Sequence, residues 1–362
     1  MRPSRIRLGL IFSALLLVFP VHPFPARAGE ILLSGSSMLA PLEGVWAAAY
    51  EKAHPKATVL VRGPGSGVGI QNASGGRATI GASDILLTSR EEKKAGDLAL
   101  VPVALSAVVV AADLPSLPPG SVLRLDGPLL ARLFAGKISF WDDPALRAAN
   151  PSLSLPHLPV RTVHRADASG TTFLFTSYLT RSSRLWREEV GAEALPSWPG
   201  IPGSLGVSGS KALRKALLET PGAVGYVGLG WAKGTTLLRA SLKNDKGQYV
   251  PAGTKTVRRA AKRLGDRPGF PDDFNQSLIG GGPSGGYPMA GVEFWTVSPD
   301  LPGETMKDVR ALLLFVLTRG QDPSLTVGSG FAPLPDLPGR NRLRQVLREI
   351  LPGNDFRPTS GG

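Results

Sequence analysis

Three short segments of this chain place small hydroxyl residues and glycine where a strand would give way to a helix. They are Ser34-Gly-Ser-Ser37-Met38, Gly65-Ser66-Gly67 and Ala168-Ser169-Gly170-Thr171-Thr172. The first turn of a helix leaves backbone N–H groups without intrahelical partners, and a neighbouring Ser or Thr hydroxyl adds one more donor. Singly, each segment reads as an ordinary N-cap. Together, three can converge on one oxyanion. Arg165 stands just before the third segment and offers a planar fork of donors suited to a tetrahedral oxyanion. Asp167, two residues on, can hold that guanidinium in place. Asp84 follows the apolar run at Ile80 and has no cation beside it in sequence. Locally it reads as a loop-capping aspartate. At an anion site, a carboxylate is tolerable only if the ligand brings a proton to donate. Hydrogen phosphate does; sulfate at neutral pH does not, and the mismatch would cost it several kcal/mol.

The same residues exclude other chemistries. The glycine loop lacks the Gly-Lys-Ser/Thr of a Walker motif and the Gly-x-Gly-x-x-Gly of a dinucleotide fingerprint. A hydrolase using Ser169 with His164 lacks the Gly-x-Ser-x-Gly elbow. The four histidines (His22, His54, His157, His164) show no His-x-x-x-His spacing, and there is no cysteine. Disulfides, thiolate zinc, Fe–S clusters, thiol catalysis and a cysteine-borne lipid anchor are thereby removed. No catalytic residue, metal or cofactor is expected.

The elements that must position these loops alternate short β-like runs with amphipathic helices, the pattern of an α/β protein. Strands are expected at Ile31–Leu33, Thr58–Arg62, Ile80–Ala82, Val101–Ala112, Val160–His164 and Gly291–Val297. The first helix begins near Pro41, which a first turn tolerates, and Leu42, Val45, Trp46, Ala49 and Tyr50 form its core stripe. Further helices are expected at Asp126–Phe134, Gly170–Thr180, Ser208–Glu219, Lys255–Leu264, Glu304–Arg319 and Asn341–Ile350. A chain that crosses at 101–111 and returns at 287–297 would form two lobes with a cleft between them. Lobe I would comprise 29–105 and 287–362, and lobe II 106–286. No internal repeat is visible.

Residues 1–28 read as a secretory signal peptide: Arg2, Arg5 and Arg7, then the apolar run Leu8–Phe19, then Ala26-Arg27-Ala28 at the cleavage site. Its twelve-residue core is short for a membrane span, which needs about 20 apolar residues. The full chain of 362 residues carries 41 Lys+Arg and 28 Asp+Glu, a net charge of +13. Cleavage removes four arginines and no acids. The densest basic runs, Lys255–Arg263 and Arg340–Arg344, suit exposed helix faces. No zinc-finger spacing, RRM-type aromatic box or basic arm accompanies them, so no nucleic-acid partner is expected. Attraction of anions from solution is the remaining use of the charge.

Longer stretches carry a resemblance. Gly81-Ala-Ser-Asp84, Leu125-Asp-Gly and Gly136-Lys-Ile-Ser-Phe-Trp-Asp-Asp143 resemble the running text of the periplasmic phosphate-binding proteins of high-affinity phosphate ABC transporters. So do Arg165-Ala-Asp-Ala-Ser-Gly-Thr-Thr-Phe173, Phe175-Thr-Ser-Tyr178-Leu and Pro221-Gly-Ala-Val-Gly-Tyr226. The resemblance runs from about Leu33 to Leu351. It implies a two-lobed, type II-like periplasmic binding fold with two hinge crossings and a ligand cleft between the lobes. It also implies phosphate ligation by Ser37, Met38, Ser66, Asp84, Arg165, Ser169, Gly170 and Thr171, with Asp167 bracing Arg165. The implied protein is a monomeric, unanchored periplasmic carrier that serves an inner-membrane permease and ATPase. Two departures stand out. Ser37-Met38 replaces the family's usual Thr-Phe, and Gly203-Ser-Leu-Gly-Val-Ser-Gly209 differs from the commoner glycine-rich loop. Arsenate, protonated like phosphate, is an alternative ligand; a sensing or adhesive derivative and a secreted phosphatase are alternative roles.

Overall fold

The computed structural model describes residues 29–85, 98–262 and 277–335. The expected signal peptide, the helix Asn341–Ile350 and the basic run Arg340–Arg344 lie outside the described residues.

Eleven strands form one curled sheet among the described residues: β1 (Glu30–Gly35), β2 (Thr58–Arg62), β3 (Ile80–Ser83), β4 (Ala99–Ala112), β5 (Leu123–Leu125), β6 (Arg161–Arg165), β7 (Leu205–Val207), β8 (Ala223–Gly228), β9 (Leu238–Lys243), β10 (Tyr249–Pro251) and β11 (Ala290–Val297). Their main path runs β2-β1-β3-β11-β4-β8-β6-β7. The key to this order is β4. Its apolar run is buried from Val101 onward, which suits a strand paired and covered on both sides. Up to Ala107 it pairs with β11; from Val108 it pairs with β8. The returning chain meets it at that change of partner. Val108 N–H donates to Met289 O at 3.0 Å, and Tyr287 OH donates to Val108 O at 2.7 Å.

The two halves of the sheet repeat one plan. In the first, β1 lies between parallel neighbours β2 and β3, and β11 joins antiparallel. In the second, β6 lies between parallel neighbours β7 and β8, and β4 joins antiparallel. The sequence shows no repeat because pairing order depends on backbone geometry and not on matching side chains. In open α/β sheets, ligands bind beyond the carboxyl ends of such strands, where connections diverge.

Most expected elements fall within two residues of their observed ends. Asp126 is the N-cap of the helix Gly127–Phe134, accepting from Leu129 N–H at 3.0 Å, and not its first residue. The helix Thr254–Ala261 is shorter than expected. In the first helix, Ala40–Ala53, the stripe is rotated: Leu42, Trp46 and Tyr50 are buried as expected, but Glu43 and Ala47 complete the face while Val45 and Ala49 are only partly covered. The cause is a polar contact within the core, as Trp295 Nε1–H donates to Glu43 Oε1 at 2.8 Å. Burial pushes the Glu43 carboxyl up to about 8, and the Trp295 bond opposes that shift.

Candidate functional site

Each of the three anticipated loops leaves a parallel strand and opens a helix. β1 leads into Ala40–Ala53, β2 into Ser66–Ser74 and β6 into Gly170–Ser182. Ser36 Oγ accepts from Leu39 N–H at 3.2 Å at the first turn, and Ser169 caps the third helix by accepting from Thr172 N–H at 3.3 Å. Gly35 is required where β1 ends. Its φ is +155°, and a Cβ there would stand 2.0 Å from Ala82 O.

The loops converge. Ser66 donates its hydroxyl to Asp84 Oδ1, and the same hydroxyl accepts from Gly170 N–H at 3.3 Å. Thr171 Oγ1 donates to Asp84 Oδ2 at 3.3 Å and also lies 3.7 Å from Met38 Sδ. The Asp84 carboxylate therefore rests at the N-terminus of Gly170–Ser182, where the backbone favours negative charge. Only glycine fits there: a Cβ on Gly170 would meet Asp84 Oδ1 at 2.0 Å. Met38, Ser66, Asp84, Arg165, Ser169 and Thr171 are each at most 2% exposed, and Ser37 is 8% exposed. Burial pushes the Asp84 carboxyl above its ordinary range; Ser66, Arg165 and Ser36 pull it back down.

Arg165 is braced by Asp167 and also acts on the Asp84 carboxylate. Its Nε–H donates to Asp167 Oδ1 at 2.6 Å, and its Nη2 donates to Asp167 Oδ2. Such a paired fork fixes the guanidinium plane. Above it, Tyr226 OH accepts from Arg165 N–H at 3.1 Å and lies 2.8 Å from Thr172 Oγ1. Trp198 Nε1–H donates to Arg165 O at 3.0 Å. His164 turns away, with Nδ1 3.2 Å from Arg165 O and its ring stacked on Trp198. Burial holds that imidazole below its usual range. It makes no base pair with Ser169, whose hydroxyl serves its own helix cap.

A fourth helix start, expected in the sequence as a helix but not as part of the site, joins the other three. β7 opens Gly209–Glu219, whose Gly209 N–H donates to Asp167 Oδ1 at 3.1 Å. Ser210 N–H donates to Ser37 Oγ at 3.1 Å. The Ser208-Gly-Ser210 text repeats the hydroxyl-and-glycine signature of the other three loops, so the signal was present. The divergent loop 203–209 thus ends on the brace of Arg165 through Gly209, and Ser210, the next residue, reaches the loop after β1. Trp231 Nε1–H donates to Ser37 O at 3.2 Å, placing an indole beside the Ser37-Met38 departure. A surface concavity of ≈ 580 Å³ against β9, lined by Leu117, Val122, Thr236 and Arg239, shares no residue with this constellation.

Comparison with known proteins places the chain in a family. The PBP superfamily domain matches residues 21–297. The phosphate-binding protein PstS of Xylella fastidiosa is 35% identical over 268 residues, covering 74% of this chain and 71% of that protein. PstS of Haemophilus influenzae is 32% identical over 327 residues, covering 89% and 94%. The chain belongs to the PstS family. In fold it is similar to the phosphate binding protein of Stenotrophomonas maltophilia, with a TM-score of 0.66 at 20% identity over 88% of this chain and 93% of that one. Membership in a family of substrate-binding proteins agrees with the two-lobed α/β architecture expected from the motifs. No helix among the described residues is long and apolar enough to cross a membrane.

Proposed function

We propose that this PstS-family chain binds hydrogen phosphate in the cleft between its two half-sheets and delivers it to an ABC-type importer in the inner membrane. One observation carries the reading: a buried carboxylate, Asp84, sits among the Ser66 and Thr171 hydroxyls at a helix N-terminus. A general anion site would gain nothing from that carboxylate. A ligand that donates one proton and accepts everywhere else would. Ser37, Met38, Ser66, Arg165, Ser169, Gly170 and Thr171 supply the remaining ligand contacts, with Asp167 as the brace of Arg165. Lobe I is formed by 29–105 and 287–362 and lobe II by 106–286, closing about the partner exchange on β4. The protein acts in the periplasm as a monomeric carrier, exported by removal of residues 1–28, and it performs no chemistry on its ligand.

The test is calorimetric titration with phosphate, sulfate and arsenate, beside an assay for release of phosphate from a chromogenic ester. One phosphate bound per chain, no sulfate binding at matched concentration and no ester turnover is the expected result. Ester hydrolysis abolished by Ser169→Ala would overturn the carrier reading.

A further inference from the structure

β11 carries a second buried acid that the ligand site does not use. Glu293 is completely buried, and among the described residues neither of its carboxyl oxygens has a hydrogen-bond partner. Its position is set by the strands on both sides. In the antiparallel pairing of β11 with β3, Trp295 is opposite Ala82 and Phe294 opposite Ser83. Continued by one residue, that register puts Glu293 opposite Asp84. Directly opposed residues of an antiparallel pair share a face. On the other side Glu293 is opposite Ala104 of β4, and the ladder slips there, since Phe294 is opposite Pro102. Bulges of this kind re-aim side chains and recur beside functional sites.

Three groups act on Glu293 from the elements packed around it. Asp84 at the end of β3 and Glu43 of the first helix both oppose its ionisation, while the Ser106 hydroxyl of β4 favours it. The Ser106 contact falls short of an ordinary hydrogen bond. Among the described residues, no cation is among the groups that act on it. Burial foremost, and Asp84 after it, hold the carboxyl well above the usual carboxylate range.

The two acids are unequal. Asp84 accepts from the Ser66 and Thr171 hydroxyls and feels Arg165. Glu293 has none of these. Neighbouring buried carboxyls do not both ionise, and the better hydrogen-bonded one takes the charge. We propose that Glu293 is the proton-holding partner of Asp84, an uncharged acid that keeps the pair at a single negative charge and leaves Asp84 as the acceptor facing the ligand. Were the proton on Asp84 instead, that residue would become a donor and would admit a fully deprotonated oxyanion. Glu293 is thus a positioning residue for charge, one strand removed from the ligand.

The inference rests on the phosphate reading and has its own test. A dianion bound beside Asp84 makes ionisation of Glu293 harder still, so binding at alkaline pH must draw a proton onto it. Titration calorimetry in buffers of differing ionisation heat counts that proton. The measurement runs upward in pH from the point where free phosphate is already the singly protonated dianion, because uptake begins only where free Glu293 starts to ionise. Wild type should take up a fraction of a proton per phosphate bound, and Glu293→Gln should take up none. Equal uptake in both, or none in wild type, overturns the proposal. If Glu293→Gln fails to fold, Ser106→Ala decides. Losing the one group that favours ionisation should move the onset of uptake to higher pH, and an unmoved onset overturns the proposal. Absence of any phosphate binding by wild type would sink the carrier reading itself, a result distinct from binding without proton uptake.

Discussion

The hydroxyls of Ser37 and Ser210 lie 3.0 Å apart, joining the loop after β1 to the helix start after β7. These loops leave opposite halves of the sheet, so the contact exists only when the halves are closed on each other. Gly67 N–H donating to Ala168 O at 3.3 Å spans the same divide. A hinge motion about β4 and the chain beside it would open both.

Closure should be visible in solution. Small-angle scattering of the phosphate-free protein should show a larger radius that contracts on phosphate addition. Ser210→Ala should weaken phosphate binding by about 1 kcal/mol, the worth of a neutral hydrogen bond, without altering the contraction at saturation. An unchanged profile with ligand bound would remove the hinge.

Arg165 should dominate the binding energy. Hydrogen bonds to charged groups contribute about 1.5–3 kcal/mol, against about 1 kcal/mol for neutral ones. Arg165→Ala should therefore weaken phosphate binding more than Ser37→Ala, Ser66→Ala or Ser169→Ala. Equal losses across the four variants would mean that these residues do not form the site.

The loops, the braced arginine and the lone aspartate were legible because each is a local pattern: a strand end, small hydroxyl residues, a helix start. Their convergence was not. It depends on β4 changing partners between Ala107 and Val108, a long-range pairing with no local signature. Glu43 shows the same limit from the other side. Its helix reads as amphipathic, and nothing in the spacing says that a tryptophan far along the chain will draw the acid into the core. Tyr226 stood within a recognisable segment, yet its bonds to Arg165 and Thr172 are visible only in the fold.

Export should leave a new N-terminus near Gly29. Mass spectrometry of the secreted protein measures this directly, and a mature product that retains Leu8–Phe19 would contradict the signal-peptide reading.

Glu43 should make stability fall with rising pH. Its carboxyl titrates at about 8 in the folded chain against an ordinary value of 4.5. Below the lower value both forms are protonated. Between the two, only the folded state keeps the proton, so each rise in pH favours unfolding. Wild type should lose about 3–5 kcal/mol relative to Glu43→Gln across that window, and the difference should level off above it. Gln can still accept from Trp295, so denaturant unfolding at several pH values isolates the titration. Parallel stability curves would show that Glu43 does not ionise there.

Asp84 decides whether the site reads a proton or merely a charge. In wild type the carboxylate accepts the proton of hydrogen phosphate, and the other ligand oxygens go to Arg165, hydroxyls and backbone N–H groups. Sulfate would set a lone pair against a buried negative charge. Asp84→Asn replaces that charge with an amide that can donate, so sulfate affinity should rise relative to phosphate. Phosphate can present an acceptor oxygen to the amide, and its own loss is therefore a poor readout. The ratio of the two affinities, at matched pH and salt, is the informative one. Acidification offers an independent check on wild type. Because burial raises the Asp84 carboxyl, protonation should begin above the ordinary carboxylate range, and sulfate should gain on phosphate as the pH falls. Formation of dihydrogen phosphate in solution moves the ratio in both proteins, so the gain should be larger in wild type than in Asp84→Asn. If the ratio does not rise in the variant, and wild type and variant respond alike to acidification, selectivity resides in some group other than Asp84.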